Sequence, residues 1–190
     1  MLQNDASNDI PILTETFKDH NGKDLVKVCV NESSIKVYNL KSTKSNPDKI
    51  YYMRDVAGCS VGKSPKQNDL KAYLTIYMYP RVKANNSKRK REVAIFEYSS
   101  KESYENNLEI VKNWSEQLKK MLSKDLSGKP FLVYINPNSG SGKARNLFLE
   151  RIKPIWAEAS IPYAVVILTK SFLKNLYSIK IKEFLFFLRY

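Results

Sequence analysis

The sequence predicts an α+β protein built from two unlike parts. Short β-rich runs extend from Asp24 to Tyr98, and an amphipathic helical pattern follows over Ser100–Leu122. Beyond Pro130 an apolar run, Phe131–Ile135, leads through a Gly/Ser-rich turn into a second helical pattern and a further apolar run. Strand, helix and strand in this order predict a right-handed crossover between two parallel strands. We therefore expect a β-rich module with a C-terminal helix, followed by an incomplete α/β (β-α-β) unit.

Five runs in the first part are predicted to be strands, because β-branched and aromatic residues alternate with polar ones there. Asn, Gly, Pro and Ser fill the gaps between the runs, as is typical of turns. The pattern begins only after residue 22, so residues 1–22 are interpreted as a flexible leader and residues 23–125 as the β-rich module. The predicted strands are Leu25–Val30, Ser34–Tyr38, Ile50–Met53, Leu70–Tyr79 and Val93–Tyr98.

The helical pattern that ends this module has one apolar face. A string of antiparallel strands closed by one amphipathic helix with a tryptophan resembles a pleckstrin-homology-like module. The resemblance concerns architecture, and a fold alone does not establish a ligand. The residues of the apolar face, three or four positions apart, are Leu108, Val111, Trp114, Leu118 and Met121.

The composition favours an anionic partner. The chain has 190 residues with 32 Lys and Arg against 19 Asp and Glu, a formal net charge of +13. Nucleic acid, a nucleotide or an acidic membrane face would each suit this charge. A hydrophobic share of 43% excludes a chain that is disordered by composition. Cys29 and Cys59 match no metal or redox spacing and are expected to be free thiols in a reducing cytosol. His20 lies in a polar, turn-like stretch and is expected at the surface.

Four consecutive cations lie between the last two predicted strands. Three interpretations are open: a solvated hairpin loop that discourages edge pairing, contact with anionic lipid headgroups, and nuclear import or nucleic-acid binding. No RNP-like, zinc or helix-turn-helix pattern accompanies the charge, so nucleic acid is not an expected partner. The four candidates for membrane or anion contact are Lys88, Arg89, Lys90 and Arg91.

The turn after Phe131–Ile135 predicts a phosphate-binding site. A buried strand that ends in a Gly/Ser-rich turn at a helix start directs backbone N–H groups and the positive end of the helix dipole at an anion. Gly140 and Gly142 let the backbone approach a ligand, and Lys143 adds a positive charge. The spacing fits neither the Walker A nor the Rossmann pattern. The residues of the turn are Asn136, Pro137, Asn138, Ser139, Gly140, Ser141, Gly142 and Lys143.

The segment from Tyr134 to Ala144 resembles the opening of the diacylglycerol kinase-type catalytic domain, which sphingosine kinases, ceramide kinases and bacterial lipid kinases share. The resemblance extends over residues 128–170, through a helical stretch that Pro154 should interrupt and a second apolar run, Ile161–Thr169. It implies that the turn binds ATP and that Thr169 begins another nucleotide-contacting segment.

The resemblance also implies a function. The family transfers phosphate from ATP, with Mg²⁺, to a lipid hydroxyl, and a module like residues 23–125 precedes the catalytic domain in sphingosine and ceramide kinases. A sphingoid base or related lipid is therefore the implied acceptor. The implied localisation is cytoplasmic, with peripheral association to anionic membranes. Sphingosine, ceramide and diacylglycerol all remain open as the acceptor.

The sequence departs from the family after residue 170. No aspartate follows Asp125 and no glycine follows Gly142, so the family's Gly-Asp-Gly segment, its metal ligands and its lipid-binding half are missing. No catalytic residue is assigned, and the chain is expected to be inactive alone. Residues 171–190 are interpreted as an out-of-family tail that arises from truncation, a retained intron or a faulty gene model. An amphipathic segment that lies at a membrane interface is the other interpretation of this stretch. The alternative is a non-catalytic module that binds membrane lipid or protein through its β-rich half.

Overall fold

The protein divides into two units, Met1–Ser127 and Gly128–Tyr190. The computed structural model describes residues 10–64, 66, 69–83, 87–100, 103–122, 130–138 and 141–168. The class is mixed α+β, as predicted, and a seven-stranded antiparallel sheet with few helices dominates it. Within the described residues, no helix combines the length and the apolar character needed to span a bilayer.

The sheet of the first unit consists of two meanders, β1–β4 and β5–β7, in the order β4-β3-β2-β1-β7-β6-β5. Within each meander, strands that follow one another in sequence pair side by side. All five predicted strands are confirmed, with ends that shift by no more than two residues. The strands are β1 Leu13–Lys18, β2 Leu25–Val30, β3 Ser34–Asn39, β4 Lys49–Tyr52, β5 Val56–Lys63, β6 Ala72–Met78 and β7 Glu92–Tyr98.

Two strands were not predicted, and the interpretation of residues 1–22 as a leader is wrong for β1. This strand lies at the centre of the sheet, and its Phe17 is only 1% exposed. The Phe17 ring centroid lies 5.1 Å from that of Trp114. The sequence of β1, LTETFK, has one large buried side chain among mostly polar residues, and this pattern is too weak to predict a strand. Strand β5 contains Gly58 and Gly62, a residue type depleted in strands.

One long helix, α1 (Tyr104–Leu122), covers strands β5–β7. The predicted apolar face is confirmed, because Val111, Trp114 and Leu118 are buried in the core between the helix and the sheet. The fully buried Asn107 donates its side-chain N–H to the Leu70 carbonyl at 2.8 Å. This bond ties the first turn of the helix to the segment that leads into β6.

A buried carboxylate lies where the two meanders meet. Strands β1 and β7 share a single register pair, Lys18 opposite Glu97. The Glu97 side chain is only 4% exposed, and its oxygens lie 3.6 Å from Lys18 Nζ and 3.2 Å from Lys71 Nζ. The Tyr73 hydroxyl donates to it at 3.4 Å. Gly22 (φ +68°) covers the group, and a Cβ there would lie 3.3 Å from Glu97 Oε2.

The second unit contains the predicted strand–helix–strand arrangement. Two parallel strands pair in register over five residues each. The helical segment between them is interrupted by a π-helical turn, and Pro154 lies at the start of the last helix, where its missing N–H costs no hydrogen bond. The elements are β8 Phe131–Ile135, α2 Ala144–Leu147, the π-helical turn Phe148–Ile152, α3 Lys153–Glu158 and β9 Tyr163–Ile167.

Four aromatic rings join the helical segment of this unit to its strands. Ring centroids in the cluster of Phe131, Phe148, Trp156 and Tyr163 lie between 5.4 and 6.1 Å apart. The other face of β8 carries Leu132 and Tyr134, which are 54% and 47% accessible. One helical layer therefore covers one face of the strand pair in the described part of the unit.

Candidate functional site

The predicted phosphate-binding turn begins at the carboxyl edge of the parallel strand pair. Ile135, the last residue of β8, is buried, and its carbonyl accepts a hydrogen bond from the Leu168 N–H at 2.8 Å. Both strands therefore end at the same edge, and Asn136 is the first residue beyond it. In parallel α/β units, ligands bind outside this edge.

The Asn136 side chain shapes the first half of the turn. Its Oδ1 accepts the N–H of Asn138 at 3.0 Å, which closes an Asx turn around Pro137. Asn138 is exposed, whereas Asn136 and Pro137 are half-buried. Asn136 therefore supports the backbone of the turn in addition to any contact that it makes with a ligand.

The second half of the turn places a glycine and a lysine directly before the helix. Gly142 adopts φ +74°, a left-handed conformation that other residues rarely take. A Cβ there would lie 3.7 Å from the Pro137 carbonyl, an ordinary contact, so the backbone conformation and not space favours glycine. Lys143 is exposed, and its carbonyl accepts the N–H of Leu147 at 2.9 Å.

The N-cap residue of the helix that follows supplies no side-chain cap. Lys143 occupies the N-cap position, and its side chain makes no capping hydrogen bond. The first N–H groups of a helix have no partner within the helix itself, and Ser, Thr, Asp or Asn usually supplies one. Lysine cannot accept a hydrogen bond, so this helix start suits an exogenous acceptor such as a phosphate oxygen.

Six of the nine residues predicted to bind ATP are described, and they form the first and last parts of the turn. Ser139 and Gly140, at the middle of the turn, and Thr169, beyond β9, lie outside the described residues, as do residues 171–190. The six described residues are Asn136, Pro137 and Asn138 on the strand side and Ser141, Gly142 and Lys143 on the helix side.

The described part of the turn suits phosphate better than a metal ion. Within the described ranges, no group of three or more His, Cys, Asp or Glu side chains could hold a metal. The first two carboxylates that follow the turn in sequence, Glu150 and Glu158, belong to the helical segment. The described residues of the turn therefore offer N–H donors and a lysine to an anion and no carboxylate to Mg²⁺, and no phosphoryl-transfer step is assigned to them.

The basic run Lys88–Arg91 belongs to a structured hairpin between β6 and β7. Arg81 and Arg89 form an antiparallel bridge, and the Val82 N–H donates to the Lys88 carbonyl at 3.0 Å. The Lys90 N–H donates to the Pro80 carbonyl, also at 3.0 Å. The position between two strands is confirmed, and the four cations are all exposed.

The Arg89 side chain forms an ion pair with the opposite end of the second meander. Its Nη1 lies 2.8 Å from Asp55 Oδ1 and also donates to the Tyr79 carbonyl. Asp55 closes the short 3₁₀ helix Met53–Asp55 before β5, so this ion pair ties the hairpin to a distant part of the chain. The sequence offered no signal for it, since the partners are 34 residues apart.

A comparison of the chain with models of known protein families finds no match.

Proposed function

We propose that this chain is the amino-terminal part of a lipid kinase of the sphingosine kinase type, and that the turn Asn136–Lys143 binds the phosphates of ATP. One observation carries the proposal: the turn joins the carboxyl edge of a parallel strand pair to an uncapped helix start, with Gly142 in a left-handed conformation. This arrangement presents N–H donors to an anion, and Lys143 adds a positive charge.

The proposal assigns membrane recruitment to the β-rich first unit. Two antiparallel meanders covered by a C-terminal helix suit the expected pleckstrin-homology-like module. Such a unit would bring a cytoplasmic kinase to the membrane that holds its sphingoid base or related lipid. Since no aspartate follows Asp125, the second unit of this sequence has no Asp to ligate Mg²⁺ or to act as a general base. We therefore expect ATP binding without phosphoryl transfer.

Calorimetric titration of the purified chain with ATP tests this proposal. Lys143→Gln should weaken ATP binding about 10-fold, because it removes one charge-assisted contact to phosphate. Gly142→Val should weaken it at least as much, since a β-branched residue disfavours the left-handed conformation. Lys153→Gln removes an exposed charge from the start of α3 and is the matched control.

The titration also has an outcome against the proposal. Adenosine, which lacks phosphate, should bind far more weakly than ATP. If a chain with intact secondary structure takes up no ATP, or if Lys143→Gln and Lys153→Gln bind it equally, the turn is an ordinary loop.

A second candidate is a non-catalytic module that binds membrane lipid or protein. The hydrophobic core of the first unit favours it, because the cluster lies wholly within residues 13–122 and needs nothing from the nucleotide turn. Vesicle or partner binding by a chain that shows no ATP uptake would support this candidate over the kinase.

A further inference from the structure

The hairpin between β6 and β7 concentrates positive charge at a structural cost. Residues 80–91 contain six Lys and Arg and no Asp or Glu. Arg81 and Arg89 lie directly opposite each other, and like charges in that relation destabilise an antiparallel pair. The concentrated charge, with no acidic residue in the same stretch, suits an anionic partner.

Arg89 offsets part of this cost through its contacts with other segments of the first unit. Its ion pair with Asp55 and its hydrogen bond to the Tyr79 carbonyl hold the base of the hairpin against the start of β5. The Tyr79 N–H in turn donates to the Asp55 carbonyl at 2.7 Å. Arg89 therefore acts as a brace, while Lys88 and Lys90 on either side of it are exposed at the surface.

Apolar side chains lie among these cations. Val82, next to Arg81 in the hairpin, is 49% exposed. Val93 is 38% exposed and lies opposite Tyr77, whose ring centroid is 5.6 Å from the Arg91 guanidinium. Cations that surround exposed apolar side chains are typical of surfaces that insert shallowly into a bilayer and contact its headgroups.

A bilayer fits this surface better than a nucleic acid does. Single strands are usually held by exposed aromatic rings on which bases stack. Residues 80–91 contain no aromatic residue, and the neighbouring Tyr77 is half-buried with its ring beside the Arg91 guanidinium. An exposed valine contributes nothing to phosphate-backbone binding, whereas it gains from burial among acyl chains. The combination of an exposed valine with cations therefore favours a bilayer over a nucleic acid as the partner.

We propose that the β6–β7 hairpin is a membrane-contact element for anionic bilayers, with Lys88, Lys90 and Val82 as contact residues and Arg89 as their internal brace. The hairpin lies in the first unit and makes no use of the nucleotide turn. The proposal therefore stands or fails independently of ATP binding.

Co-sedimentation with vesicles tests the proposal. The chain should bind vesicles of phosphatidylcholine mixed with phosphatidylserine, should bind phosphatidylcholine alone much more weakly, and should lose affinity as salt is raised. The double variant Lys88→Gln, Lys90→Gln should partition about 30-fold more weakly, because each cation near a charged leaflet contributes about a fivefold factor. Val82→Ser, with unchanged charge, should weaken binding about 5-fold.

A matched control separates the hairpin from the general positive charge. Lys112→Gln with Lys153→Gln removes the same charge from exposed positions outside the hairpin and should leave vesicle binding unchanged. Equal losses for the two double variants would overturn the proposal, since they would show non-specific attraction. A Val82→Ser chain that binds like the wild type, together with tight binding of single-stranded nucleic acid lost on Lys88→Gln, Lys90→Gln, would also overturn it.

The structural role of Arg89 is tested separately, by amide hydrogen exchange. Arg89→Gln should speed amide hydrogen exchange at Val82 and Lys90, whose N–H groups bond across the hairpin. Lys88→Gln with Lys90→Gln should leave that exchange unchanged. If Arg89→Gln leaves the exchange rates as they are, Arg89 is not the brace.

Discussion

At the scale of single residues, Glu97 joins the two meanders of the sheet. A nearly buried carboxylate is costly unless cations and hydrogen bonds compensate it, and Lys18, Lys71 and Tyr73 do so here. The pKa of Lys71 is raised by its hydrogen bond to Glu97 and by the charge of that group. The pKa of Tyr73 is raised by burial first and then by the same negative charge.

These two shifts predict a loss of stability at alkaline pH. Both groups hold their proton more tightly in the folded than in the unfolded chain, so their contribution is complete below the unfolded pKa values. It is lost as the pH rises above about 10. Lys71→Met should therefore destabilise the protein at neutral pH and approach the wild-type stability as the pH rises. Urea unfolding at several pH values measures this difference.

The control for this prediction is Lys112→Met, which changes an exposed lysine of α1 and should leave the free energy of unfolding unchanged at every pH. Glu97→Gln should lower the free energy of unfolding by about 1 to 2 kcal/mol, since an amide replaces a buried, hydrogen-bonded charge. A Lys71→Met chain that keeps its full deficit at alkaline pH would contradict the assigned role of the ion pair.

At the scale of elements, helix α1 closes the core over strands β5–β7. Leu118 and Val111 are fully buried, and the Phe17 ring from β1 meets Trp114 edge-on. The helix thus packs against a strand of the first meander as well as covering the second. Cys59, on β5, lies 3.5 Å from the Ser115 carbonyl, and burial raises the pKa of its thiol.

Leu118→Ala should lower the free energy of unfolding of the first unit by about 2 to 5 kcal/mol, because it leaves a cavity beneath the helix. Gln117→Ala, at an exposed neighbouring position, should stay within about 0.5 kcal/mol of the wild type. Denaturant unfolding followed by circular dichroism measures both. Similar values for the two variants would show that the helix does not close the core.

At the scale of the whole molecule, the two units differ in how well they cover their strands. The first unit packs a long helix and seven strands around one apolar cluster. The described part of the second unit has two strands and one helical layer, with Leu132 and Tyr134 exposed on the other face. A parallel sheet is normally covered on both faces, so this described part has less apolar burial to offset its chain entropy.

Division of the chain between Ser127 and Gly128 should therefore give two unequal fragments. Residues 1–127 should unfold cooperatively, with the secondary structure of a seven-stranded sheet and a helix. Residues 128–190 should show weak protection of the β8 amides from hydrogen exchange. Strong protection across Phe131–Ile135 in the isolated second fragment would contradict this prediction.

The sequence by itself determined the features that depend on local pattern. Alternation of apolar and polar residues predicted five strands, and helical spacing predicted the buried face of α1. The Gly/Ser-rich turn around Gly142 predicted a candidate anion site. Each of these signals lies within a few residues of chain, because propensity, periodicity and positive φ are local properties. The proposed kinase relationship rests on the same local signals.

Only the tertiary structure decided what depends on distant partners. Strand β1 is central because Phe17 is buried by residues some eighty to a hundred positions away, although its own pattern is polar. Glu97 is buried because β1 and β7 meet at one register pair, and Arg89 is a brace because Asp55 lies beside it. The physical reason is that burial and ion pairing are set by neighbours in space, and a single sequence does not show which residues those neighbours are.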